Sequence, residues 1–265
     1  HYQLWDEPNI APHWGARPAD PAQYLALLRE GYIAVKTADP GAWVLMAGLA
    51  PNGESGGANL SDVLYLDRLY RAGGSRWFDI AAAKPYGFQE SPEAAPDPAR
   101  LNFGRVALLR EVMVRHGDVN KPLWAVEYGW NALPADWQGP PSIWGQVTMD
   151  EQADYAVGAL ARARREWPWL GLLAWATYQP DAPSNDPHWG FALMDTEGRP
   201  RPVLNALAEA ARASAVAGPG RYAANAAAAT YQGQWRITPF AADVGTTGDA
   251  VRFRFEGTRL DLIVR

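Results

Sequence analysis

The 265-residue chain has no cysteine. A disulfide framework, a thiol nucleophile and cysteine metal ligation are therefore excluded. Positive charge is also short: 24 Lys+Arg stand against 29 Asp+Glu, a net charge of −5. With no basic block along the chain, nucleic acid or an anionic membrane is not expected as the main partner. No apolar run approaches the roughly 18 residues of a spanning helix, and no charged-then-apolar leader is visible. Phosphate-cradling glycine loops are missing as well, since neither G-x-G-x-x-G nor G-x-x-x-x-G-K occurs. The histidines His1, His13, His116 and His188 show no ligand spacing, so neither a metal nor a cofactor is expected.

What remains is an ordinary globular balance, 48% hydrophobic and 20% charged, with a high count of 13 tryptophans. Those rings can pack a core or stack on sugars, and composition alone does not choose. Five short apolar runs read as buried strands: Tyr2–Trp5, Trp43–Gly48, Phe78–Ala83, Leu123–Val126 and Gly171–Thr177. Helical runs alternate with them. Asp20-Pro21 and Asp97-Pro98 each place a capping acid before a proline, Ser61 can cap another helix, and Thr148 with Glu151 forms a capping box. A last helix is expected over about 202–213.

Strand–helix alternation at this spacing implies βα units and a parallel sheet. Without a glycine-rich turn, a doubly wound nucleotide fold loses to a (β/α)8 barrel, which puts its chemistry at strand C-termini. The expected fold class is α/β: a partial (β/α)8 TIM barrel, strands four to eight, followed by the start of a small β-sandwich. Three βα units are then expected upstream of His1. Residues 1–213 form the barrel part, 214–230 an Ala/Gly-rich linker, and 231–265 an incomplete sandwich whose segments alternate in strand fashion.

Glu7 and Glu127 each end a strand-like run. In a parallel barrel both ends face one mouth, so the two carboxylates can converge although they are far apart in sequence. Hydrolysis of a glycosidic bond needs such a pair, one to protonate the leaving oxygen and one to attack or to activate water.

The segments carry a family resemblance. "LWDEPN" resembles the W-N-E-P-N segment on the fourth strand of clan A glycoside hydrolases, and "LWAVEYGW" resembles their seventh-strand nucleophile segment. "FDIAAAKPYGF" sits where the sixth strand carries His-Pro-Tyr, "LLAWATYQ" where the eighth carries a pocket tryptophan, and "WGFALMDTEGRPRPVLNAL" resembles the approach to the last helix. Families 39 and 5 are the most similar. The resemblance implies a retaining glycosidase that acts on a β-linked poly- or oligosaccharide, outside the cell or on its surface. It implies Glu7 as acid/base, Glu127 as nucleophile, Tyr86 as the nucleophile's hydrogen-bond partner and Trp175 as an apolar wall. Tyr128 and Trp130 follow Glu127 closely enough to line the mouth.

Two residues depart from the pattern. Asp6 replaces an asparagine, so it can only accept from a sugar hydroxyl, and its charge favours a proton on Glu7. Lys84 replaces a histidine; it can pair with Asp6 or Glu90, or reach solvent. These departures keep an alternative open, a catalytically inactive carbohydrate-binding or cell-surface barrel. Trp175 can also point into the core, and Tyr86 can be a packing residue. His13 and His188 are in loops from which they can touch sugar. A fragment without the first three strands is not expected to be active, because their loops also supply sugar contacts.

Overall fold

A computed structural model describes residues 1–213, 220–226, 228–238 and 241–263. The chain divides into two units, His1–Leu204 and Asn205–Arg265. In the first, β1 (Tyr2–Leu4) leads to α1 (Pro21–Ala38), β2 (Val44–Met46), the hairpin β3 (Ser55–Gly56) and β4 (Asn59–Leu60), and α2 (Asp62–Arg71). Then come β5 (Ala81–Ala83), α3 (Val106–Arg115), β6 (Leu123–Tyr128), α4 (Met149–Glu166) and β7 (Leu170–Trp175). Helix α5 (Pro202–Ala213) runs across the boundary.

The long strands are parallel and follow chain order. β1 pairs with β2 through Tyr2↔Val44 and Leu4↔Met46, and β5 pairs with β6 through Ala81↔Leu123 and Ala83↔Ala125. β6 pairs with β7, with register shifts between Ala125 and Tyr128. Parallel bridges Leu45↔Ile80 and Leu49↔Ala83 connect β2 to β5. These five strands therefore end at the same edge. Among the described residues no pairing joins β1 to β7, so this mixed α/β fold is an open, barrel-like sheet. No described helix is long and apolar enough to cross a membrane.

Local chemistry accounts for most element ends. The Asp20 carboxylate accepts from Ala22 N and Gln23 N, with Pro21 at the first helical position. Thr148 and Glu151 form the reciprocal capping box of α4. Asp97-Pro98 does not start α3, contrary to expectation: Asp97 accepts from Ala99 N in a local turn. Asn102 takes the capping role, accepting from Arg105 N at 3.1 Å ahead of one short 3-10 turn and then α3. Tyr24 and Leu28 of α1, Leu66 and Leu69 of α2, and Leu109 and Met113 of α3 bury their side chains in one core.

In the second unit, β8 (Ala229–Gln232) and β11 (Ala250–Phe253) pair antiparallel, as do β9 (Trp235–Ile237) and β10 (Ala242–Val244). β8 begins inside the stretch expected to be linker. Of that linker, residues 214–219 and 227 lie outside the described residues, as do 239–240 and 264–265 of the expected sandwich. Strand structure in 251–265 stops at Phe253 among the described residues, apart from an isolated bridge.

Candidate active site

The first element of the site is a bent loop after β1. Tyr24 from α1 ties the bend down: its hydroxyl donates to Leu4 O at 3.0 Å and accepts from Ala47 N at 2.6 Å. Glu7 N donates to Gly48 O at 3.0 Å. Asn9 is fully buried and bolts the loop to the β2–β4 region. Its side-chain amide donates to Ala50 O at 2.8 Å and Leu60 O at 3.0 Å, while its side-chain oxygen accepts from Ala50 N at 2.9 Å. These anchors hold Trp5 at φ 80° and Glu7 at φ 47°. Non-glycine residues visit that left-handed region rarely and at a cost, and such positions cluster at functional sites.

Lys84 follows β5 and is the hub. Only 4% of its side chain is exposed, and its Nζ is 2.9 Å from Asp6 Oδ2, 2.9 Å from Glu7 Oε1 and 3.0 Å from Glu127 Oε1. The Glu7 and Glu127 oxygens that face it are therefore no more than about 6 Å apart, the sum of two contacts. Burial alone would favour loss of the lysine proton, but Glu127, Glu7 and Asp6 outweigh it and hold the ammonium above lysine's usual range. Gly48 makes room for this side chain: a Cβ there would sit 2.8 Å from Val126 Cγ2 and 3.3 Å from Lys84 Cε.

Glu127, from β6, keeps 35% of its side chain open. The Tyr86 hydroxyl donates to its other oxygen. Burial and then the charge of Glu127 push the Tyr86 phenol far above its usual range, so it remains a donor. Its ring lies 5.3 Å from Phe191 and 6.1 Å from Trp144. Trp175, at the end of β7, is half-buried and donates to Phe191 O at 2.6 Å. An aromatic wall therefore stands beside Glu127.

Several expectations need correcting. Tyr128 and Trp130 do not line a mouth. They are buried in the core against Phe103, and the Trp130 indole donates to Glu90 O at 2.7 Å. Gly87 opposite has no side chain to obstruct that ring. Lys84 does not reach Glu90, whose carboxylate pairs with Arg100 and Asn102. Asp6 is 44% exposed, and its charge does not act on Glu7 alone because Lys84 pairs with both.

His13, expected in a loop from which it can touch sugar, lies beside Glu7 and Asp6. Trp5 fixes it by donating to His13 O at 3.0 Å, and its ring reaches Glu7 Oε2 at 3.3 Å and Asp6 Oδ2 at 3.8 Å. The signals were its loop position and its short distance along the chain from Glu7. His188 packs edge-on against Trp144 at 4.6 Å. One ligand atom each from Asp6, Glu7 and His13 falls within 4.8 Å of the others. A divalent ion among them would meet the Lys84 ammonium already held by two of those residues, so the donor set does not suit one.

No family model and no curated protein matches the chain. Solved structures do. A family 39 glycoside hydrolase from the gut symbiont Bacteroides cellulosilyticus WH2 matches 79% of this chain at 25% identity and a TM-score of 0.55. A family 128 (subgroup II) endo-β-1,3-glucanase from Sorangium cellulosum matches 78% at 20% identity and 0.54. A glucosidase from Croceicoccus marinus matches 75% at 14% identity and 0.54. The chain spans 40%, 68% and 37% of those chains respectively. Its fold is thus similar to that of several glycoside-hydrolase barrels at low identity.

Proposed function

We propose that residues 1–213 are strands four to eight of a (β/α)8 retaining glycoside hydrolase, completed by upstream βα units and followed by an accessory β-sandwich. Glu7 is the acid/base and Glu127 the nucleophile, acting on β-linked sugars outside the cell or on its surface. The single observation that carries this reading is the shared ammonium of Lys84, which keeps the two facing carboxylate oxygens within about 6 Å. Carboxylates held that close suit a retaining pair, whose carboxyl groups are about 5–5.5 Å apart, while inverting pairs are about 6.5–9.5 Å apart, and the product anomer distinguishes the two. Exposed aromatic side chains on and beside the open edge, Tyr2 and Trp43 among them, fit a sheet meant to continue.

In this reading Glu7 protonates the leaving oxygen while Glu127 bonds the anomeric carbon. Water then displaces Glu127 with Glu7 as base. Tyr86 orients the nucleophile, Asp6 borders the sugar, and Trp175 with Phe191 and Trp144 forms the apolar wall. Three carboxylates around one lysine suit neutral glycosides better than uronic acids. Release of an aryl group from neutral β-glycosides, by this chain and by one extended with upstream βα units, tests it, with the product anomer read by NMR. Full activity in Glu127→Ala, or an inverted first product, overturns the assignment.

The same lysine favours one other reading. An ammonium neutralising both glutamates also fits an inactive barrel that binds saccharide, in which case tryptophan fluorescence responds to glycans that are never cleaved.

A further inference from the structure

Lys84 touches the acid/base and the nucleophile at nearly equal distances, 2.9 and 3.0 Å, and cannot move far because it is buried. We propose that Lys84 is a positioning residue that couples the proton on Glu7 to the charge on Glu127, with Asp6 as its permanent counter-ion. The reaction it serves rests on the proposed function; the coupling itself does not require turnover.

The charge balance explains why one fixed cation suffices. Before reaction Glu7 carries a proton and Glu127 is anionic. In the first half the Glu7 proton passes to the glycosidic oxygen as the bond from that oxygen to the anomeric carbon breaks, and a Glu127 oxygen bonds that carbon. Glu127 becomes a neutral ester and Glu7 an anion. In the second half a water proton passes to Glu7, the water oxygen bonds the anomeric carbon, and the ester bond breaks. One glutamate of the pair is anionic throughout, and Lys84 stabilises whichever it is. Asp6 takes no part in either proton transfer, so the summed charge of the four groups never changes. A lysine touching only one glutamate would favour one half-reaction at the expense of the other.

Other groups face this cluster. Tyr86 donates to Glu127, His13 lies 3.3 Å from Glu7 and 3.8 Å from Asp6, and Gln3 donates weakly to Asp6 at 3.4 Å. Among these groups His13 touches Glu7 and Asp6 but has no contact with Glu127. It therefore cannot move both glutamates together.

Carbon NMR of the glutamate side chains in the full chain tests the coupling without a substrate, with Glu7→Gln and Glu127→Gln assigning the two signals. Lys84→Met is expected to move both titration midpoints to higher pH by roughly 1–3 units. Asp6→Asn is expected to move both to lower pH, and the double variant to fall between. A lysine whose charge acts on one glutamate alone would move one midpoint only. If Lys84→Met does not fold, Asp6→Asn, at a half-open side chain, and Lys84→Arg, which keeps the charge and the wild-type midpoints, decide the question. Unchanged midpoints, or a shift in one glutamate only, overturn the proposal. Shifts as expected with no cleavage of any glycoside leave the coupling standing and remove the proposed function. Cleavage whose pH limbs are unmoved in Lys84→Met or Asp6→Asn does the reverse.

Discussion

Lys84 and Arg105 are both sealed from solvent, at 4% and 2% exposure, and they are built in opposite ways. Arg105 faces one carboxylate, Asp62, through Nε at 2.9 and 3.1 Å and a terminal nitrogen at 2.8 Å. Its other donors go to neutral oxygens, including Pro98 O at 2.9 Å, Asn52 O at 3.0 Å and Ser61 Oγ at 3.1 Å. Its charge is closed, and its role is to pin the start of α2 to the loop before α3. Lys84 faces three carboxylates, two of them partly open to solvent. The geometry of a buried cation therefore says less than its charge count. A matched count marks a structural joint, while a surplus of acid leaves a group able to take or give a proton.

That contrast can be broken by experiment. The largest effect is expected at the surplus side: Glu7→Gln should cut glycoside turnover by roughly 10²–10⁴-fold with little change in unfolding free energy. Denaturant unfolding should show the reverse for Arg105→Met. Removing that partner strands the Asp62 charge in the interior, at a cost of about 3–5 kcal/mol. Lys84→Met should cost less than Arg105→Met, since Asp6 and Glu127 can turn to water. An equal cost would erase the distinction. Gly48→Ala comes next. Its methyl would crowd Val126 and Lys84, costing about 1–3 kcal/mol and slowing turnover along with the loss of stability.

The smallest effect is in pH. Lys84 is held above its ordinary 10.5, so its contribution to stability is complete below that pH and is lost only as pH climbs through the raised value. Stability should therefore be flat from roughly pH 6 to 9 as far as this lysine is concerned, and Lys84→Arg should leave that stretch unchanged. A step in this window would place the lysine proton in the working range.

Much of the framework was legible because it depends on local chemistry. Runs buried on both faces gave the strands, and Asp20-Pro21 and the Thr148–Glu151 box gave two helix starts to the residue. Asp97-Pro98 misled because the same dipeptide also makes a turn, and Asn102 offered a better cap five residues on. Glu7 and Glu127 could be named from their places at strand ends. The cation between them could not, because which group lies there depends on how far β5 reaches relative to β1 and β6. Lys84 had three plausible destinations in the sequence, and only the stacking of the strands selects among them. Tyr128 and Trp130 were misjudged for a related reason. Closeness to Glu127 along the chain does not say which face of the sheet a ring takes, and the register shifts near the end of β6 alter the simple alternation.

Asn9 carries a consequence on a different timescale. The buried side chain holds Ala50 N, and its own backbone oxygen holds Leu60 N at 2.8 Å, although neither amide belongs to a helix or to the long parallel sheet. Loop amides ordinarily swap their hydrogens for deuterium through small local openings. Freeing these two requires withdrawing a side chain from the interior, so they should exchange as slowly as amides in the middle of a strand, and the rim carrying Glu7 should open only when the whole unit does.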